Sequence, residues 1–165
     1  MTAPHLILGV DPGMSGAMAL FDPVKNELVT LADMPTHKIT VNLSPRTVQD
    51  PWGIARFIDV HSSVIKMAVI EEPHAMPQQG VTSAFSFGRA LGEVVGVVIA
   101  NFVRVEFVRP AKWKRVLGLS HDKDHSRRAA SARWPQHADL FSRSKDDGRA
   151  EAALLAYYGT KIPGG

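Results

Sequence analysis

Residues 6–21 read Leu-Ile-Leu-Gly-Val-Asp-Pro-Gly-Met-Ser-Gly-Ala-Met-Ala-Leu-Phe. Leu6–Asp11 is an almost unbroken apolar run, the pattern of a strand buried on both faces. Pro12 to Gly16 is a turn, and residues 17–21 are a second apolar strand, so the pair reads as a hairpin. Working outward, Asp22-Pro23 and Lys25-Asn26 mark a turn before a third strand at 27–32. Residues 34–50 contain Pro35 and Pro45, show no period and read as a loop. Asp50-Pro51 is an N-cap and N1 pair opening a helix with Ile54, Phe57 and Ile58 on its apolar side. Residues 64–70 form a strongly apolar strand ending at Glu71. A long helix then runs from about 80–83 to 100. Residues 102–108 alternate as a strand and stop at Arg109-Pro110, and helical stretches follow at 111–117, 123–134 and 147–158. Three antiparallel strands, then alternating helices and strands, predict an α/β fold with a mixed sheet flanked by helices, in one domain over 1–165 with an ordered core at 6–159.

The 165 residues are 45% hydrophobic and 21% charged, and cysteine is absent. That composition is too apolar for disorder and excludes disulfides, zinc–thiolate sites, iron–sulfur clusters and cysteine nucleophiles. No uninterrupted apolar run reaches the ~18 residues of a membrane span. Met1 to His5 lacks a basic segment leading into an apolar one, so a cytoplasmic location without a membrane partner is expected. Charge is uneven along the chain. Residues 104–149 hold twelve basic and six acidic side chains, a local +6 in a chain of net charge +3. The remainder is therefore −3, an asymmetry that suits a polyanion such as nucleic acid, or simply a solvated basic face.

Carboxylates occupy the places where chemistry is expected. Asp11 and Glu71 each end an apolar strand, and open sheets deliver such ends to a common edge. Asp147 and Glu151, four apart at the start of the last helix, share a face. Four acids converging on one edge need cations. Hard oxygen donors suit Mg²⁺, and two such ions about 4 Å apart can promote phosphodiester hydrolysis. Singly, each acid has a plainer reading: Asp11 as a turn former, Glu71 and Glu72 as a solvated strand end, Asp146 and Asp147 as complements to the helix dipole.

Five segments in order, Val-Asp-Pro-Gly-Met-Ser-Gly (10–16), Ala-Val-Ile-Glu (68–71), Ser-Ala-Phe-Ser-Phe-Gly-Arg-Ala-Leu-Gly (83–92), Val-Arg-Pro-Ala-Lys-Trp-Lys-Arg-Val-Leu-Gly-Leu (108–119) and Asp-Asp-Gly-Arg-Ala-Glu-Ala-Ala-Leu-Leu-Ala (146–156), resemble a RuvC-type Holliday junction resolvase. The likeness covers residues 6 to 159 and is greatest to the compact versions of phages and prophages. It implies an RNase H-like fold and a homodimer in a bacterial cell or phage-infected host. It also implies paired, Mg²⁺-dependent nicks in four-way DNA during recombination and repair, with two ions per site and Mn²⁺ able to substitute. By the same resemblance Asp11, Glu71, Asp147 and Glu151 are the catalytic metal ligands, with Asp146 a weaker substitute for Asp147. The sequence departs from the usual spacing: many relatives place the last two ligands three apart, where this chain has Gly148.

Lys112, Lys114, Arg115 and Lys123 are the expected phosphate binders, extended by Arg127, Arg128 and Arg133. The segment at 73–82 follows the Glu71 strand, and the resemblance places it in the opened junction, with His74, Gln78 and Gln79 as contacts. Trp113, Phe85 and Phe87 read either as core or as base-stacking residues. Arg149 can serve the scissile phosphate or pair with Asp146. Gly88, Gly92 and Gly96 sit four apart on the long helix, each costing roughly 1 kcal/mol relative to alanine; core packing and dimerisation both explain them. Alternative functions are a debranching nuclease acting on forks and flaps, and a junction-binding module without catalysis. An actin-like kinase, suggested by the Asp-Pro-Gly-Met-Ser-Gly turn, would need a second such domain.

Overall fold

Leu6–Asp11 forms β1, buried on both faces up to its final residue, as its unbroken apolar run requires. It lies at the centre of a five-stranded sheet. β2 (Ala17–Asp22) pairs antiparallel with it and β3 (Glu27–Asp33) antiparallel with β2. On the other side β6 (Ile65–Glu71) runs parallel to β1, and β7 (Arg104–Val108) parallel to β6. The order is β3-β2-β1-β6-β7, so the mixed α/β sheet expected from sequence is present. The computed structural model describes residues 5–72 and 80–164, and of Lys123 the backbone alone.

The segment expected to be a loop, 34–50, is instead a second hairpin, β4 (Thr36–Val41) and β5 (Ser44–Gln49), forming a separate two-stranded sheet. Its residues are exposed or half-buried, Gln49 excepted. With no face in the core the strands carry no hydrophobic alternation to read, and Pro45 masks the second of them.

Helices cover both faces. α1 (Pro51–Asp59) starts at Asp50, whose carboxylate accepts from the Trp52 N–H at 3.1 Å. It joins α2 (Val81–Ala100) on one side, where Ile54, Ile58, Val94 and Val98 pack with Leu8, Val10, Ala68 and Ile70. α3 (Pro110–Val116), α4 (Lys123–Arg133) and α5 (Asp147–Tyr158) lie on the other with Ile7, Met67 and Val69. α5 approaches β1 unusually closely. A Cβ on Gly9 would lie 2.1 Å from the Ala152 carbonyl oxygen and 2.3 Å from the Ala156 nitrogen, so only glycine lets the helix rest on the central strand.

Strand alternation then assigns the acids to faces. Ile7 and Gly9 face α5, and so does Asp11; Met67 and Val69 face it, and so does Glu71. The register Gly9↔Val69, Val10↔Ile70 puts the two acids at adjacent strand ends. Glu72 lies beyond the strand, its N–H donating to the Val108 carbonyl at 2.9 Å.

α2 differs from the other helices. It is long and apolar enough to cross a membrane by length and composition, with mean hydropathy 1.4. The charged Arg89 and Glu93 within it explain why no uninterrupted run was visible in the sequence. Ala90, Val94 and Val98 seat it on the sheet. Among the described residues nothing lies within 4 Å of a Cβ placed at Gly88, Gly92 or Gly96, so these glycines are not needed for packing against that part of the chain.

Candidate active site

The edge holding Asp11 and Glu71 is roofed by the first turns of α5. The turn after β1 folds back on Asp11: Gly13 N–H donates to its Oδ1 at 3.1 Å, and a Cβ on Gly16 would fall 2.1 Å from the Asp11 carbonyl oxygen. The same turn supports α5. At Gly148 a Cβ would meet the Ser15 carbonyl oxygen at 2.3 Å and the Gly16 Cα at 2.8 Å. The position three before Glu151 therefore has no room for a side chain, and the acid expected as its helical partner, Asp147, lies four residues back.

Glu151 is buried, 9% exposed, and its Oε1 pairs with Lys114 Nζ at 2.6 Å; Lys114 is 7% exposed. Ser126 Oγ approaches the same oxygen at 3.4 Å. Lys114 was expected on the surface as a phosphate binder. Its ammonium is instead turned inward onto a site carboxylate, because leaving Glu151 buried alone would cost more than burying the pair. Lys114→Met should therefore destabilise the protein by about 3 kcal/mol at neutral pH. Urea unfolding at pH 7 would measure it, and a loss below about 1 kcal/mol would mean that water reaches Glu151.

Trp113, fully buried, is core by position yet also donates its indole N–H to Glu71 Oε1 at 2.8 Å. Burial pushes Glu71 up to about 7; the Trp113 hydrogen bond opposes this, the charges of Asp11 and Glu151 reinforce it, and Lys114 opposes it weakly. The charges of Asp11 and Glu151 thus both reach Glu71 at one sheet edge. The stability consequence has a definite sign. Below about pH 4.5 Glu71 is protonated in both states and contributes nothing. As pH rises toward 7 the unfolded chain releases the proton first, so stability falls by about 3 kcal/mol, and the penalty is complete above 7. In chelator the melting temperature should drop across this window, and Glu71→Gln should flatten the drop. An unchanged profile in Glu71→Gln would assign the pH dependence to other groups.

The remaining acids separate cleanly. Asp147 opens α5 and is half-buried. Asp146 is 1% exposed and taken up by Arg143, whose backbone N–H donates to its Oδ2 at 2.8 Å and whose Nη2 donates to its Oδ1 at 2.8 Å. That guanidinium holds Asp146 below the usual carboxylate range. Arg149 grips Asp33 with Nε and Nη2 at 2.5 and 2.7 Å, and stands 3.8 Å from Asp146. It clamps the end of β3 to the start of α5.

Of the expected DNA contacts, Lys112 and Arg115 are exposed on α3. Arg127 is half-buried, paired with Asp124 and donating to the Ser142 carbonyl at 3.3 Å. Arg133 donates to Asn26 at 2.7 Å and lies over the Tyr157 ring. His74, Gln78 and Gln79 lie outside the described residues, as does the side chain of Lys123. The partnerships of Trp113 and Lys114 were not legible in sequence, since each reaches a carboxylate some forty positions away, at 42 and 37 residues.

Among the described residues no three acidic, histidine or cysteine side chains already form a metal-holding cluster. The donors that do gather are hard carboxylate oxygens, and the burial of Glu71, together with the smaller push from the charges of Asp11 and Glu151, is a cost that a divalent cation would offset. The set fits Mg²⁺.

Sheet order and the two helical layers define an RNase H-like fold. No family model and no curated protein sequence matches the chain. Among solved structures, RuvC of Thermus thermophilus in complex with Holliday junction substrate aligns with TM-score 0.57 and 16% identity over 95% of both chains. A second structure of that RuvC gives 0.55 and 17% over 96% of both. The Holliday junction resolvase of fowlpox virus gives 0.48 and 18% over 95% of this chain and 99% of that one. The chain has a RuvC-like resolvase fold.

Proposed function

We propose that this chain is a metal-dependent endonuclease that resolves four-way DNA junctions by paired nicks, acting as a homodimer. The observation that carries the reading is the convergence of Asp11, Glu71 and Glu151 beneath α5, with Glu71 raised to about 7 in their company. The fold shared with a RuvC solved in complex with Holliday junction substrate supports it.

Asp11, Glu71, Asp147 and Glu151 would hold Mg²⁺, two ions per site, or Mn²⁺ in its place. Bound ions supply Lewis-acid stabilisation of charge on the phosphate. The chain's own groups orient the site. Gly13 N–H fixes Asp11, the Trp113 indole fixes one oxygen of Glu71, and Lys114 holds Glu151. Lys112 and Arg115, exposed on α3 beside the site, bind backbone phosphates; log affinity then falls with log salt by about 0.9 per phosphate contact.

The dimer reading rests on α2, whose Gly88, Gly92 and Gly96 line an open face with Val81 and Ile99 exposed. A two-fold dimer matches a two-fold junction and puts one site on each of two opposed strands. Gly92→Leu has room in the isolated chain and gains roughly 1 kcal/mol of helix propensity. It should nonetheless convert dimers to folded monomers in sedimentation equilibrium and abolish paired nicking. A variant that stays dimeric would move the interface elsewhere.

The test of the function is nicking of a labelled four-way junction beside linear duplex, forks and flaps, in Mg²⁺ and in Ca²⁺. Symmetric Mg²⁺-dependent nicks confined to the junction support the resolvase. Equal cutting of forks and flaps would make it a debranching nuclease, and tight binding without cutting a non-catalytic module.

A further inference from the structure

We propose that the β4–β5 hairpin is a DNA arm: its strands lie along phosphates beside a branch point, and its tip residue Leu43 wedges among the bases there. The inference rests on the branched-DNA reading above and adds a contact element to it.

Three properties of the hairpin need explaining together. The first is that it pays for little of its own folding. It is hydrogen-bonded to no other sheet, and two-stranded hairpins by themselves are only marginally stable in water. The second is its tip. Asn42 and Leu43 form the two-residue loop with φ of 49° and 62°, a turn that Asn-Gly fills without strain. A leucine in the left-handed region is unfavourable, and this one is 97% exposed. A strained apolar side chain offered wholly to solvent contributes nothing to the fold. It has the shape and chemistry of the apolar wedges that enter base steps. The third is charge. Residues 36–49 hold His37, Lys38 and Arg46, five serine, threonine or asparagine residues, and no acid. Such a ribbon suits a phosphate-lined groove, which admits two strands.

The root of the arm ties it to the candidate active site. Gln49, buried, donates from Nε2 to the Pro12 carbonyl at 2.5 Å, one residue from Asp11. Met34 N–H donates to the Gly16 carbonyl at 2.9 Å, and Asp50 N–H to the Pro35 carbonyl at 2.8 Å, closing the base of the hairpin. The base of the arm is therefore tied to the loop that follows Asp11. Between it and α2 runs a groove of about 440 Å³ lined by Ile39, Val41, Phe85 and Phe87, with Arg46, Arg89 and the acid Glu93 also along it. Apolar walls with arginines beside them suit bases displaced from a stack and their phosphates.

The test places 2-aminopurine at the branch point of a four-way junction and follows its fluorescence on binding in Ca²⁺, then nicking in Mg²⁺. Leu43→Gly suits the tip geometry, so the hairpin is kept; far-UV circular dichroism checks this. The wild type should unstack the probe. Leu43→Gly should lose that signal and nick the paired junction at least about tenfold more slowly, and mismatches at the branch point should restore most of the rate. Lys38→Ala with Arg46→Ala should reduce the salt slope by about 2. Wild-type unstacking and nicking in Leu43→Gly would overturn the arm while leaving the nuclease intact. Loss of dimer in Leu43→Gly would overturn it by assigning the tip to a second copy of the chain. A wild type that neither binds nor cuts branched DNA would overturn both readings.

Discussion

Asp11→Asn should leave the fold in place and reduce junction nicking by about 10³-fold or more, on the ground that withdrawing a charged oxygen from the proposed metal-dependent phosphodiester site would forfeit several kcal/mol of transition-state stabilisation. The carboxylate and the amide are close in shape, and the Gly13 N–H can still donate to the amide oxygen, so the turn after β1 should be retained. Removing the Asp11 charge should also lower the pKa of Glu71, because that charge helps to raise it. The metal-free protein should thus become slightly more stable at pH 7 even as activity vanishes. Gel-resolved nicking in Mg²⁺ and denaturant unfolding in chelator measure the two effects. Retained nicking within about tenfold would remove Asp11 from the reactive centre.

The largest effect on stability is expected at a residue with no side chain. Gly9→Ala puts a methyl group 2.1 Å from the Ala152 carbonyl oxygen and 2.3 Å from the Ala156 nitrogen. Both neighbours are backbone, so no flexible side chain can move aside and α5 must lift from β1. Overpacking of this kind costs about 3 kcal/mol or more, or a fall in melting temperature of about 10 °C for a chain of this size. Because α5 carries Asp147 and Glu151, nicking should fall with it. A change in melting temperature below about 2 °C would show that the helix can shift without loss.

Much of this was legible because the physics is local. Leu6–Asp11 had to be a buried strand, since its run of apolar residues has nowhere else to go. Asp50-Pro51 had to open a helix, and Glu71 had to end a strand. Choosing Glu71 over Glu72 needed only strand alternation together with a knowledge of which face α5 covers. The β4–β5 hairpin was missed because it sits outside the core and hydrophobic alternation is a signal of burial. The open face of α2 was ambiguous for a related reason. Glycines at a four-residue spacing suggest close approach by a backbone without saying whose, and only the packed structure shows that no described residue of this chain comes within 4 Å of a Cβ there.

The amino-acid order by itself determined the strands, the helices and the acids at their ends, because these follow from periodicities of two and 3.6 residues and from turn chemistry within a few positions. Tertiary structure decided which of those acids meet, and which charges are already taken. Asp146 is held by Arg143, Arg149 by Asp33 and Glu151 by Lys114. It also left Gly148 without room for any side chain. These outcomes depend on distances between segments far apart in the chain, set by how closely α5 lies on β1, and no local pattern encodes such a distance.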